Sequence, residues 1–186
     1  MKKETLLARA SRQLNLLNVD PILNCHSNAT ARNAYGQAAQ IIVCDVIGLS
    51  PIPINGNYPI CFDAEASGVF YEIKSCGPGH KIVIYNWRLK KELEAGVYVN
   101  YAILIHSLRG IRTNVLQAMR DCKPKILILP LGCVKDVFDQ HPTCYYNPRT
   151  PTQKRLGYAR KGYKDGYKNI HLNQLLNVPT KQIINL

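Results

Sequence analysis

Asp63, Glu72 and Lys74 are the residues of this chain whose types and spacing suit a chemical task. They stand in the stretch Asp63-Ala-Glu-Ala-Ser-Gly-Val-Phe-Tyr-Glu72-Ile-Lys74. Residues i and i+2 of a β-strand share a face. Glu72 and Lys74 are therefore expected to emerge together, with Tyr71 and Ile73 turned the other way. A hairpin turning around Ala66, Ser67 and Gly68 would return Asp63 to a place beside Glu72. Two carboxylates and one ammonium would then converge on one spot. Hard oxygen donors of this kind hold Mg²⁺ together with waters and phosphate oxygens. A lysine beside them orients an attacking water or offsets charge on a phosphate. The set suits phosphodiester hydrolysis by metal-ion catalysis.

Glu-x-Lys alone also describes a cross-strand ion pair on a solvated sheet face. Here it lies in Val69-Phe-Tyr-Glu-Ile-Lys, which otherwise reads as a buried strand. A charge pair in such a strand is costly unless it is paired, metal-bound or functional.

The elements that must position these residues follow from periodicity and turn residues. Leu6, Leu7, Leu14, Leu16 and Leu17 predict a helix over 4–18, stopped at Asp20-Pro21. A second helix is expected from Asn28 or Thr30 to about Ile47, ending at Gly48. Ala34, Ala38, Ala39, Ile42, Val43 and Val46 would place one of its faces on the core. A turn-rich segment spans 51–57. Strands are then expected over 58–63, 69–75 and 81–85 as a meander, followed by a helix over 87–95 ending at Gly96. A strand over 97–107, a helix over 112–121 and a strand over 125–131 complete the pattern. The helix between those last two strands predicts that they pair in parallel. The expected fold is α/β: a central mixed sheet flanked by helices.

On these residues and this order the chain resembles the PD-(D/E)xK nuclease superfamily, with its restriction-endonuclease-like core, over about residues 30–131. The resemblance implies that Asp63 and Glu72 bind Mg²⁺, with Mn²⁺ as a substitute, and that Lys74 assists the attacking water. Phe62 stands where the family's name has proline. The helix before the hairpin often carries a glutamate near the metal; the candidate here is Gln37, an oxygen donor without charge. Ser75, directly after the lysine, is a candidate donor to the scissile phosphate. Lys81 and Arg88 are further candidates for that role, though each is more often an ordinary surface charge.

Composition bounds the partners. Among 186 residues, 24 basic against 12 acidic give a formal charge of +12, which favours a polyanionic partner. The 142–186 segment is basic and tyrosine-rich, and is read as a DNA-gripping extension to a nuclease core with N-terminal helices over 1–141. Arg149, Lys154, Arg155, Arg160, Lys161, Lys164 and Lys168 would meet phosphates, with Tyr158 and Tyr163 among the rings placed to stack. The 7 cysteines form no C-x-x-C pair, and the odd count argues against a disulfide framework. The histidines have no zinc spacing, and His106 reads as a satisfied core or edge histidine. No apolar run reaches the length of a membrane span, so an intracellular, cytoplasmic protein is expected.

The function expected from the resemblance is a Mg²⁺-dependent endodeoxyribonuclease acting on double-stranded DNA, most simply of the type II restriction kind. Homing, phage or repair nucleases of the same fold are the alternative. A non-catalytic nucleic-acid-binding protein is the competing class. Paired cuts need two active sites, which predicts a homodimer or higher oligomer.

Overall fold

The computed structural model describes residues 28–52, 62–77, 79, 81–109, 114–145 and 165–186. The helix expected over 4–18 lies outside them. The first described helix, α1 (Asn28–Ile47), is the one read from the sequence. It stops where Gly48 takes a positive φ of 76° and its N–H bonds back to Cys44 O at 2.9 Å. Ala34, Ala38, Ala39, Ile42 and Val43 are buried as expected, but Val46 is 40% exposed. Ile41, and Leu49 just past the helix end, occupy the core instead.

A short strand β1 (Ser50–Pro51) pairs antiparallel with β2 (Ala64–Ala66), and β2 pairs antiparallel with β3 (Val69–Cys76). The strand expected over 58–63 falls mostly outside the described residues, and the hairpin's first strand starts at Ala64. Ser67 and Gly68 both have positive φ, 51° and 79°, as a two-residue primed hairpin turn requires. That turn fixes the register Ala66↔Val69, Glu65↔Phe70 and Ala64↔Tyr71.

Next come β4 (Lys81–Tyr85), α2 (Asn86–Glu94) and β5 (Tyr98–Ile105). They are followed by α3 (Val115–Asp121), β6 (Lys125–Pro130) and α4 (Leu131–Asp139). Then β7 (Tyr167–His171), α5 (Leu172–Leu176) and β8 (Gln182–Asn185) close the chain. The central sheet is mixed and six-stranded, in the order β1-β2-β3-β5-β6-β8. Helices flank both faces. Cluster residues from α1 and α3, including Ala38, Ile42, Val115 and Met119, pack with Ile73, Ala102, Leu104 and Ile126 on one face. On the other face Leu89, Val134, Phe138, Ile170 and Leu175 pack with Val99, Tyr101, Ile103, Leu127 and Leu129. Strands β5 and β6 are thus covered on both sides, which explains their nearly continuous apolar runs.

Two pairings differ from those expected. β5 and β6 are antiparallel, with Ile105 opposite Lys125; the parallel neighbours are β3 and β5. The connecting helix α3 has 7 residues, about 10 Å, well short of the ~26 Å of the 8-residue β5. The chain re-enters the sheet at the end where it left. Between β3 and β5, β4 and α2 form the crossover that parallel pairing requires. The second difference is that β4 leaves the meander. It pairs antiparallel with β7 in a separate two-stranded sheet, with Ile82 opposite Ile170, both buried.

The C-terminal part of the chain is woven into this body. β8 extends the central sheet beside β6, and Leu175 of α5 is fully buried. At Gly166 the chain passes Cys144 so closely that a Cβ would sit 2.6 Å from Thr143 Cγ2 and 2.7 Å from Cys144 O. Its φ of 77° and this contact both demand glycine.

Candidate metal and phosphate site

The hairpin brings the two acids together. Beyond the last paired residues, Asp63 N donates at 3.0 Å to the O of Tyr71, which already stands opposite Ala64, so the ladder bulges there and turns the Asp63 side chain towards β3 and α1. Its carboxylate is held on both oxygens. Gln40 Nε2 of α1 donates to Oδ1 at 2.8 Å, and the Ile73 backbone N–H donates to Oδ2 at 2.7 Å. Burial, and then repulsion from Glu72, push the Asp63 carboxyl up to about 7, against the pull of Lys74, the Ile73 N–H and Arg88. Cys44 lies close by on α1. Burial, and the charge of Asp63 after it, push its thiol up to about 12, so it stays neutral.

Glu72 and Lys74 share a face of β3, as strand periodicity requires, and form an ion pair through Glu72 Oε1 and Lys74 Nζ. The Glu72 side chain is only 4% exposed, whereas that of Lys74 is 31% exposed. Burial alone would lower the Lys74 ammonium; attraction from Glu72 and Asp63 outweighs it and holds the group above its ordinary range.

Arg88 is not a surface charge. It bonds the second Glu72 oxygen, Oε2, and its Nε donates to Glu92 Oε1 at 2.7 Å. The Glu92 side chain is completely buried. Its other oxygen accepts the Tyr101 hydroxyl at 2.7 Å. Burial raises the Glu92 carboxyl and repulsion from Glu72 adds to this, partly offset by the Tyr101 and Arg88 hydrogen bonds. A continuous chain of contacts therefore runs Lys74–Glu72–Arg88–Glu92–Tyr101, from the opening of the site into the core. Sequence reasoning missed its inner half. The available signal was Arg88 and Glu92 at i and i+4 on one helix.

The accessory candidates fall elsewhere. Gln40, rather than Gln37, reaches Asp63. Gln37 stands one helical turn earlier on α1, and its buried Oε1 has no hydrogen-bond partner among the described residues. Ser75 follows Lys74 and so turns to the opposite face, where its Oγ lies 3.1 Å from His106 Nε2. The Leu108 N–H donates to His106 Nδ1 at 3.2 Å, so the neutral ring carries its proton on Nε2 and donates to Ser75. His106 is buried and stacked on Tyr35 at 5.2 Å, the satisfied histidine that the sequence suggested. Arg149, Lys154, Arg155, Tyr158, Arg160, Lys161, Tyr163 and Lys164 lie outside the described residues. Lys168 is described and is committed to the fold. Its Nζ donates to Phe138 O at 3.0 Å and lies 4.2 Å from the Phe138 ring centre.

Among the described residues, no three His, Cys, Asp or Glu side chains gather as they do in an all-protein metal cage. Mg²⁺ does not require one. It is commonly held by one or two carboxylates, the rest of its shell being water and substrate phosphate. Each Asp63 oxygen accepts one hydrogen bond and keeps further acceptor capacity. The donor set is hard oxygen, and a cation would relieve the repulsion that raises Asp63. The residues present therefore fit the ion. In comparisons with known proteins, no family model matches the chain and no curated protein matches it. No described helix is long and apolar enough to cross a membrane.

Proposed function

We propose that this chain is a Mg²⁺-dependent endodeoxyribonuclease of the PD-(D/E)xK kind, with a restriction-endonuclease-like core. The observation that carries the reading is the convergence of Asp63, Glu72 and Lys74 at the β2–β3 hairpin, on the rim of a mixed sheet flanked by helices. Asp63 and Glu72 would hold the ion, which when bound supplies Lewis-acid polarisation of the scissile phosphate and of a water. Lys74, the more exposed member, now bonded to Glu72, would turn its ammonium to a phosphate oxygen when substrate binds. Gln40 and the Ile73 N–H fix the Asp63 carboxylate so that it needs no reorganisation when substrate arrives.

The charge of +12 supports a polyanionic substrate, and double-stranded DNA is the proposed one. The basic, tyrosine-rich stretch from Arg149 to Lys164 is proposed to grip it. A type II restriction-type enzyme acting as a homodimer is the favoured form, because symmetric cuts need two sites.

The test is cleavage of supercoiled plasmid and of branched DNA in Mg²⁺ by the wild type, Asp63→Ala and Lys74→Ala. The proposal predicts cutting by the wild type alone, with DNA binding retained in the Lys74 variant. Equal binding by all three with no cutting of any DNA form would leave a binding protein in its place. Competition with RNA oligonucleotides decides the substrate class.

A further inference from the structure

Arg88 sets this site apart from a pair of carboxylates awaiting a cation. The Glu72 side chain is nearly inaccessible and already meets two cations, Lys74 on Oε1 and Arg88 on Oε2. Arg88 in turn is anchored from behind by Glu92, whose carboxylate is fully buried and pinned by the Tyr101 hydroxyl. The guanidinium thus divides its charge between two acids, one at the site and one beneath it. A planar, permanently charged fork suits such bridging better than an ammonium. A divalent cation on Glu72 would draw on the same oxygen charge that Arg88 now neutralises.

We propose that Arg88 is a resident counter-ion that competes with the divalent cation for Glu72, and that Glu92 tempers this competition by holding part of the guanidinium. Arg88 is in this sense a positioning residue, acting through Glu72. The inference rests on the reading of Asp63 and Glu72 as metal ligands.

Competition and mere structural support predict different signs. In Glu92→Gln the guanidinium loses its second acid and bonds Glu72 more strongly, so metal binding weakens. In Arg88→Gln/Glu92→Gln the competitor is gone. The summed charge of the two positions stays at zero, and Gln at 92 still offers a carbonyl oxygen to Tyr101. Metal binding then strengthens. If the network only braced Glu72, both variants would bind metal less well.

The experiment is calorimetric titration of Mn²⁺ into the full chain without DNA, for wild type, Asp63→Asn and the two Glu92 variants. Competition predicts binding about tenfold tighter in the double variant, the size of one charge-assisted hydrogen bond, and several-fold weaker in Glu92→Gln. A double variant that binds no tighter than wild type overturns the inference. So does a Glu92→Gln protein that binds tighter; if the double variant does not fold, Arg88→Met/Glu92→Gln takes its place, with the same tighter binding predicted and the same refutation. Asp63→Asn separates the two levels. Equal Mn²⁺ uptake by wild type and Asp63→Asn would remove the metal site and the nuclease reading with it. Loss of Mn²⁺ in Asp63→Asn without opposite signs in the Glu92 variants would remove only the competition by Arg88.

Discussion

Asp63 should weaken the metal-free fold, and Asp63→Asn should strengthen it. The carboxyl rises from 3.8 in the unfolded chain to about 7 when folded, through burial and the nearness of Glu72. A raised acid binds its proton more tightly in the folded state, so folding is penalised once that proton is lost from the unfolded chain. The penalty is near zero below pH 4, grows as pH rises from 4 to 7, and is constant above about pH 7. Three pKa units correspond to ~4 kcal/mol, at about 1.4 kcal/mol each. Asparagine removes the charge and keeps the shape. Its amide oxygen accepts from the Ile73 N–H, and Gln40 reverses its own amide to meet the new N–H donor. Urea unfolding in EDTA should therefore find Asp63→Asn more stable than wild type by ~2–4 kcal/mol at pH 8 and by roughly two-fifths of that at pH 5. The two proteins should converge near pH 4. Mg²⁺ should raise the melting temperature of the wild type and not of the variant. A variant that is less stable at pH 8, or a difference that does not change with pH, would refute the claim that Asp63 carries an electrostatic cost relieved by a cation.

Lys74→Ala should lower the cleavage rate by about a hundredfold or more, the usual loss when a donor to the reacting group is removed. Ser75→Ala, on the opposite face and bonded to His106, should stay within a few-fold of wild type in the same plasmid assay. Tyr101→Phe leaves a Glu92 oxygen buried without its donor and should cost ~1–3 kcal/mol in denaturant unfolding. Gly166→Ala should cost at least ~1–3 kcal/mol, because the added Cβ meets Thr143 and Cys144 at a positive φ; its melting temperature reads this directly.

What the sequence disclosed was local. Helix α1 and its stop at Gly48 follow from periodicity and a glycine. The shared face of Glu72 and Lys74 follows from the two-residue repeat of a strand. The placement of Asp63 follows from Ser67-Gly68, a dipeptide that admits a tight primed turn. What it withheld was set by distant partners. A helix between β5 and β6 does not by itself set their direction, and the departure of β4 depends on β7, more than eighty residues later. Gln37 and Gln40 are one turn apart on the same helix, and only the packing of α1 on β3 decides which one reaches Asp63. Arg88 and Glu92 look like an exposed i, i+4 pair. Glu92 is instead buried and Arg88 largely covered, with Tyr101 of β5 closing the network. Lys168 belongs by composition to the basic stretch, yet Phe138 claims it.

Crystals of the protein soaked in Mn²⁺ and measured at the manganese absorption edge would show directly whether an ion lies between the two hairpin acids. An anomalous peak about 2 Å from oxygens of both Asp63 and Glu72 is the predicted result. A saturated soak with no peak there, or a peak held by other residues while these two keep only their protein partners, would contradict it.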